Sequence, residues 1–155
     1  MLALGGRAGP VEIYTIGFTQ TTAERFFGRL AAAGVKRLLD VRLNNSSQLA
    51  GFAKAKDLPY FLHELISATY EHEPRLAPTQ ELLDEYKKRT GDWSAYEARF
   101  LELMSSRGIE TFLSISDFHT PTALLCSEAT AERCHRRLVC EYLADRWPDV
   151  KAVHL

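Results

Sequence analysis

Apolar and polar positions alternate along this chain in two distinct rhythms. Residues 11–17, VEIYTIG, are rich in β-branched and aromatic side chains and end on glycine, which predicts a strand. Residues 21–34, TTAERFFGRLAAAG, place apolar side chains at Ala23, Phe26, Phe27, Leu30 and Ala33. That is helical spacing, opened by threonine and stopped by Gly34. Residues 35–42, VKRLLDVR, predict a second apolar strand. A strand, a helix of about four turns and a strand are the βαβ pattern, and such crossovers make parallel, right-handed units.

The same alternation continues. Residues 43–52 are polar and turn-rich, a loop. A helix is expected from Leu58 or Pro59, where proline in the first turn loses no intrahelical bond. Residues 69–78 predict a short strand and a loop, and 79–90 a helix with Thr79 as N-cap. Residues 93–108 predict a further helix stopped by Gly108, and 109–118 lean towards helix. Residues 122–128, TALLCSE, predict a buried strand, 129–147 a long amphipathic helix with Thr130 as N-cap, and 150–155 a last strand. Residues 1–10, with Gly5, Gly6, Gly9 and Pro10, read as a loose leader. The expected architecture is a single α/β domain over 11–155, with a mostly parallel, Rossmann-like sheet and helices on both faces.

Composition narrows this picture. A chain of 155 residues is the size of one domain and buries enough surface to need neither disulfide nor metal to fold. A net charge of -1 argues against a broad electrostatic grip on nucleic acid, though a local cationic pocket is compatible with it. The three cysteines, Cys126, Cys134 and Cys140, are odd in number and clustered, which points to reduced thiols rather than a secreted disulfide framework. The opening residues contain no sustained apolar core of a signal peptide, and no run reaches the ~18 apolar residues of a membrane span. The expectation is a cytoplasmic protein with no membrane contact.

In open parallel sheets, ligands bind beyond the carboxyl ends of the strands. That rule brings together Gly17 and Phe18, residues 42–45, and residues 126–128. Arg42 ends an apolar strand and can offer its planar fork to a phosphate or carboxylate. It can equally pair with Asp40 or Glu128. Asp40, within an apolar strand, must be paired if buried. Cys126 stands where a strand gives way to a helix, a place that stabilises a thiolate. The phosphatase signature fails, because the sixth residue after Cys126 is Glu132 and Arg133 comes one position late. Glu128 lies two residues beyond Cys126, on the same side if the strand continues. It could act as general base or nucleophile, or pair with Arg42 or Arg136.

The candidate catalytic set is therefore Glu128, Cys126 and His135. The candidate substrate-binding set is Gly17, Arg42, Asn45, Ser46, Ser127 and Arg136. Cys134, His135 and Arg136 are expected in the first turns of a helix. Successive helical residues diverge by about 100°, so Cys134 and His135 should not face one ligand together. The spacing C-x7-C-H matches none of the usual zinc patterns, and no metal or other cofactor is assigned. Cys140 is expected in the core. His63, His72 and His119 read as surface or partly buried residues, with His72 also on a strand that could end at the cleft, and Trp93 and Tyr96 read as helix packing first and as pocket lining second.

YTIGFT, LLDVRLNNSS and LLCSEATAERCHRRLV resemble the family called domain of unknown function 488. Its marks are Y-T-I-G-H-S, D-V-R-x-x-P-x-S, and L-C-x-E followed by C-H-R. The likeness runs from about Glu12 to Leu155. Carried over, the matching positions are Gly17, Asp40, Arg42, Ser46 or Ser47, Cys126, Glu128, Cys134, His135 and Arg136. The resemblance implies a compact α/β domain and no settled activity. Phe18 replaces a frequent family histidine, Asn45 falls near the usual proline, and an L-G-G segment after the third strand is missing.

Three functional readings stay open. One is a small enzyme of hydrolase or glycosidase type, acting on an anionic ligand such as a nucleotide or nucleic-acid component. In it Arg42 and the helix start near Thr130 would hold the anion, and Glu128 would act on the bond. The second is a non-catalytic anion- or nucleotide-binding regulatory module. The third is a thiol- or metal-dependent site.

Overall fold

The computed structural model describes residues 9–46, 51–128 and 131–155. Most of the expected leader, Ser47 and the expected N-cap Thr130 lie outside the described residues. The strands are β1 (Val11–Gly17), β2 (Arg37–Asp40), β3 (Thr69–His72), β4 (Thr122–Cys126) and β5 (Val150–His154). They form one five-stranded sheet in the order β3-β2-β4-β1-β5, and every pairing is parallel. This is the α/β architecture that the alternating pattern predicts. β1 and β2 run parallel, as the βαβ pattern predicts, with β4 inserted between them. β4, TALLC, is buried at all five positions and takes the centre, while β3 and β5 keep exposed positions at the edges.

The helices are α1 (Ala23–Ala32), α2 (Leu58–Ile66), α3 (Gln80–Asp84), α4 (Trp93–Arg107), α5 (Ile109–Phe112) and α6 (His135–Arg146). α3 runs on into a wider π-type turn over Glu85–Thr90. Thr22, Thr79 and Asp92 cap α1, α3 and α4 by accepting backbone N–H bonds from Arg25, Leu82 and Ala95. Gly34 and Gly108 follow α1 and α4 with φ of 71° and 61°, where glycine carries no steric penalty.

α1 and α2 bury Phe26, Phe27, Leu30, Leu58 and Leu62 with Ile16, Leu38 and Leu125 of the sheet. α4 and α6 bury Tyr96, Phe100, Met104, Leu138, Val139 and Leu143 with Ile13, Leu39 and Leu124. The sheet thus has apolar packing on both faces. The chain leaves β1 and β2 towards the α1–α2 face but leaves β4 towards the α6 face. Divergence of neighbouring connections opens a crevice beside the carboxyl end of β4.

The last helix departs from expectation. It begins at His135, with Cys134 as an extended N-cap at φ -136°, ψ 139°. In residues 131–134 the helical periodicity is overridden by tertiary hydrogen bonds. His135 Nε2 meets the Val41 carbonyl at 2.6 Å, and Arg136 Nη1 donates to the Glu128 carbonyl at 2.6 Å. These contacts set where the helix starts. An anion site at a helix start near Thr130 therefore loses its basis.

Candidate functional site

Register builds the site. Gly17 of β1 lies opposite Cys126 of β4, and Asp40 of β2 lies opposite Leu125. The three strand ends therefore finish level with one another. The loop after β4 is tied to the loop after β1, because both the backbone N–H and the hydroxyl of Thr19 donate to the Ser127 carbonyl, at 3.2 and 2.7 Å. Gly17 makes the close approach possible. A Cβ there would collide with the Glu128 carbonyl oxygen and press on Arg136 Nη1 at 2.7 Å.

Asp40 is fully buried and organises one wall. Its carboxylate accepts the Arg42 backbone N–H at 3.1 Å, Arg42 Nε at 2.9 Å and Arg42 Nη2 at 2.8 Å. It also accepts the Tyr70 hydroxyl at 2.5 Å. Arg42, only 2% exposed, spends Nη2 a second time on the Ala53 carbonyl at 2.6 Å. Its guanidinium lies 5.0 Å from the ring centre of Phe18, so Phe18 packs against a cation and stands in no proton path. Among the described residues Arg42 Nη1 is buried with no hydrogen-bond partner. Of the two pairings open in the sequence, Asp40 is the partner and Glu128 is not.

Burial, then the hydrogen bond to Asp40, push the Tyr70 phenol up to about 12, which adds a pH signature. A group raised in the fold stabilises it fully below its unfolded value of 10.0, and that contribution is lost as pH rises towards about 12. Tyr70→Phe should cost ~1.5–3 kcal/mol near neutrality, the net worth of a hydrogen bond to a charged group. The variant should also lack this alkaline loss. Urea unfolding at pH 7 and pH 11 measures both, and equal pH dependence in the two proteins would contradict the assignment.

The cavity beside β4 has a volume of about 140 Å³. Arg42, Cys126, Ser127 and His135 line its inner part, with Glu128, Arg133 and Lys87, all exposed residues, also in its wall. Tyr86, Trp93 and Tyr96 form an aromatic wall, with Trp93 and Tyr96 stacked at 5.0 Å and Tyr86 tilted against both. Five of the nine residues expected in the site line it: Arg42, Cys126, Ser127, Glu128 and His135. Gly17 and Arg136 shape the loop from beneath. Asn45 turns to the Tyr70 hydroxyl at 3.3 Å, and Ser46 is exposed outside the cavity wall. β4 ends at Cys126, so Glu128 reaches the cavity by the turn that follows and not by strand alternation.

Trp93 and Tyr96, whose second reading in the sequence is pocket lining, stand in the wall, whereas Tyr86, Lys87 and Arg133 were not legible as site residues. The one available signal is Trp93 and Tyr96 at i and i+3, one face of a helix on the return from β3 to β4. His72 contributes outside the cavity, its Nε2 meeting the Arg42 carbonyl at 2.9 Å.

Cys126 Sγ lies 3.4 Å from His135 Nδ1. The Val41 carbonyl can only accept, so His135 Nε2 carries the hydrogen, and Cys126 Sγ, 4.0 Å from Nε2 as well, sits towards the face of the ring. Burial alone pushes the Cys126 thiol up. A hydrogen bond from Cys134, the charge of Arg136 and the backbone N–H groups of Glu128 and Ser127 outweigh it, and the net shift is downward. Burial, then Cys126 itself, push Cys134 up. Cys140 is pushed up to about 12 by burial and belongs to the core, as expected. Cys134, expected to diverge from His135, shares a centre with it. The metal-binding atoms of Cys126, Cys134 and His135 all lie within 4.8 Å of one another. The 100° rule fails because Cys134 is extended and not helical.

Fold and site define a class: an all-parallel α/β domain with a cysteine–histidine–arginine cavity at the carboxyl end of its central strand. The chain belongs to the family described as a domain of unknown function, DUF488, whose model matches residues 22–143. The YTIGFT segment precedes the matched residues, and the other two motifs fall within them. No curated protein and no solved structure matches the chain. Among the described residues no helix is long and apolar enough to cross a membrane.

Proposed function

We propose that this chain is a small enzyme whose cavity beside β4 takes an anionic, ring-bearing molecule of the nucleotide or nucleic-acid-derived class and hydrolyses it. The observation that carries the reading is Arg42. Its guanidinium is buried, two of its nitrogens are spent on Asp40 and Ala53, and the third has no partner among the described residues. An unmatched buried N–H costs ~1–3 kcal/mol, a cost that an anionic ligand oxygen would remove. Arg133 and Lys87 add positive charge at the wall and make no ion pair among the described residues. Size supports one ring at a time, since a cavity of ~150 Å³ accepts a benzene-sized group. Tyr86, Trp93 and Tyr96 supply faces for stacking. Glu128 is the acid–base group of this reading.

Trp93 lies in the wall, so binding should change its fluorescence. Nucleoside monophosphates are expected to quench it more strongly than the parent nucleosides. Arg133→Ala should weaken the monophosphate about ten-fold, the ~1.4 kcal/mol of one exposed charged contact, and leave the nucleoside unchanged. Once a substrate is in hand, Glu128→Gln should lower turnover by ~100-fold or more with little change in affinity. Binding without turnover would convert the enzyme into a binding module. Equal affinity for phosphorylated and unphosphorylated ligands would remove the anion reading.

A further inference from the structure

We propose that Cys126 Sγ, Cys134 Sγ and His135 Nδ1 together bind one divalent transition-metal ion of the zinc type, with a coordination position left open to the cavity. The proposal goes beyond the ligand reading and stands or falls separately from it.

Geometry supports it first. Tetrahedral zinc with two thiolates and an imidazole needs ligand atoms ~3.5–3.8 Å apart. Cys126 Sγ and His135 Nδ1 are 3.4 Å apart, and the three ligand atoms lie within 4.8 Å of one another. Closure onto an ion asks the two sulfurs to draw together and the imidazole to turn so that Nδ1 meets the ion, since Cys126 Sγ lies towards the ring face. The ligands come from two stiff places, the end of β4 and the start of α6, which hold them before any ion arrives.

The surroundings support it independently. Metal-bound histidines usually donate their second ring N–H to a carbonyl or carboxylate, which fixes the tautomer. His135 Nε2 meets the Val41 carbonyl at 2.6 Å, so Nδ1 is the nitrogen left for an ion, and it is the ring nitrogen nearer Cys126 Sγ. Phe100 packs against the imidazole at 5.6 Å between ring centres and limits its rotation. Two thiolates cancel the charge of a divalent ion, so the loaded centre is neutral in a buried place. Arg136 Nη1 donates to Cys134 Sγ at 3.9 Å, which fixes the position of that sulfur.

Openness distinguishes this centre from a structural one. Structural zinc is closed by four protein ligands, whereas three ligands and a free position mark a site where the ion meets another molecule. Cys126 and His135 line the cavity, and Cys134 lies behind them. Soft sulfur ligands select zinc-like ions over magnesium or calcium. The C-x7-C-H spacing looked wrong because short zinc motifs assume that both ends sit on one local turn. Here an extended Cys134 folds back onto a strand end.

The test uses the full-length wild-type chain, freshly reduced and stripped with a chelator, then titrated with cobalt(II). One equivalent should produce thiolate-to-cobalt charge-transfer absorption and the visible bands of a tetrahedral site, both displaced by zinc. Cys134→Ser should weaken cobalt binding by at least ~100-fold, beyond the ~10–100-fold that loss of an outer partner costs. Cys140→Ser, a core cysteine outside the cluster, should leave it unchanged. X-ray absorption of the wild-type zinc protein should count two sulfur neighbours and one imidazole, which decides the matter even if a variant fails to fold. A folded, reduced wild-type protein that shows no charge-transfer band, or a band indifferent to Cys134→Ser, overturns the proposal. Because the readout is the metal, a cavity that takes no nucleotide leaves this result standing.

Discussion

Asp40→Ala should destabilise the protein by ~3–5 kcal/mol, the cost of stranding a buried charge whose partner has been removed. Four donors converge on this carboxylate: the Arg42 backbone, two nitrogens of its guanidinium, and the Tyr70 hydroxyl. Deleting the acceptor leaves Arg42 at 2% exposure with one carbonyl partner and a positive charge. A typical domain has ~5–15 kcal/mol to lose, so the variant should fold but with a urea midpoint far below that of the parent. Asp40→Asn separates charge from shape. It keeps the volume and a carbonyl acceptor, and should lose less than the alanine variant. Equal losses in the two would mean that packing, and not the ion pair, carries the stability. A loss within ~0.5 kcal/mol for Asp40→Ala would contradict the burial of the pair, since that is the range of an ordinary surface change.

Gly17→Ala should be the most damaging single-methyl addition. The new Cβ would collide with the Glu128 carbonyl oxygen, backbone that no rotamer change can move aside. Arg136 holds that same carbonyl at 2.6 Å, and Thr19 holds the preceding one. Overpacking of this kind costs ~1–3 kcal/mol. The displaced residues are Ser127 and Glu128, so the cavity wall moves with them, and ligand and metal binding should both fall. Gly28→Ala gives the opposite sign. Gly28 lies on the exposed side of α1, and nothing stands within 4 Å of its added Cβ. That variant should gain ~0.5–1 kcal/mol, the difference between alanine and glycine inside a helix. Thermal unfolding of the pair measures this reversal, and two changes of the same sign would refute the close approach at Gly17.

Much of the fold was visible in residue patterns, because each element obeys its own local chemistry. VEIYTIG and TALLC carry strand-forming side chains, and AERFFGRLAA carries an apolar stripe of helical period. Order within the sheet was less accessible. Nothing local says that β4 should part β1 from β2; only the burial of all its side chains does. The site divides in the same way. Arg42, Cys126 and Glu128 were reachable because one rule about strand ends gathers them. The aromatic wall was legible only in part: Trp93 and Tyr96 have the spacing of ordinary helix packing, which made the pocket their second reading, and nothing marked Tyr86. The start of α6 was misjudged for a related reason. Ala131, Glu132 and Arg133 are good helix formers, while hydrogen bonds donated by His135 and Arg136 to the carbonyls of Val41 and Glu128 hold the first turn back to His135.

The insertion of β4 between β1 and β2 has a kinetic consequence. The first two strands leave the ribosome early yet cannot hydrogen-bond to each other in the native arrangement. Tyr14 has to find Ala123, and Leu38 has to find the same residue from the other side. Until that late segment is synthesised, two apolar edges wait unpaired. Closing such long loops is slow and leaves them open to wrong partners. Assembly of the sheet and completion of the cavity are therefore one event, and a nascent chain halted before residue 122 should hold neither.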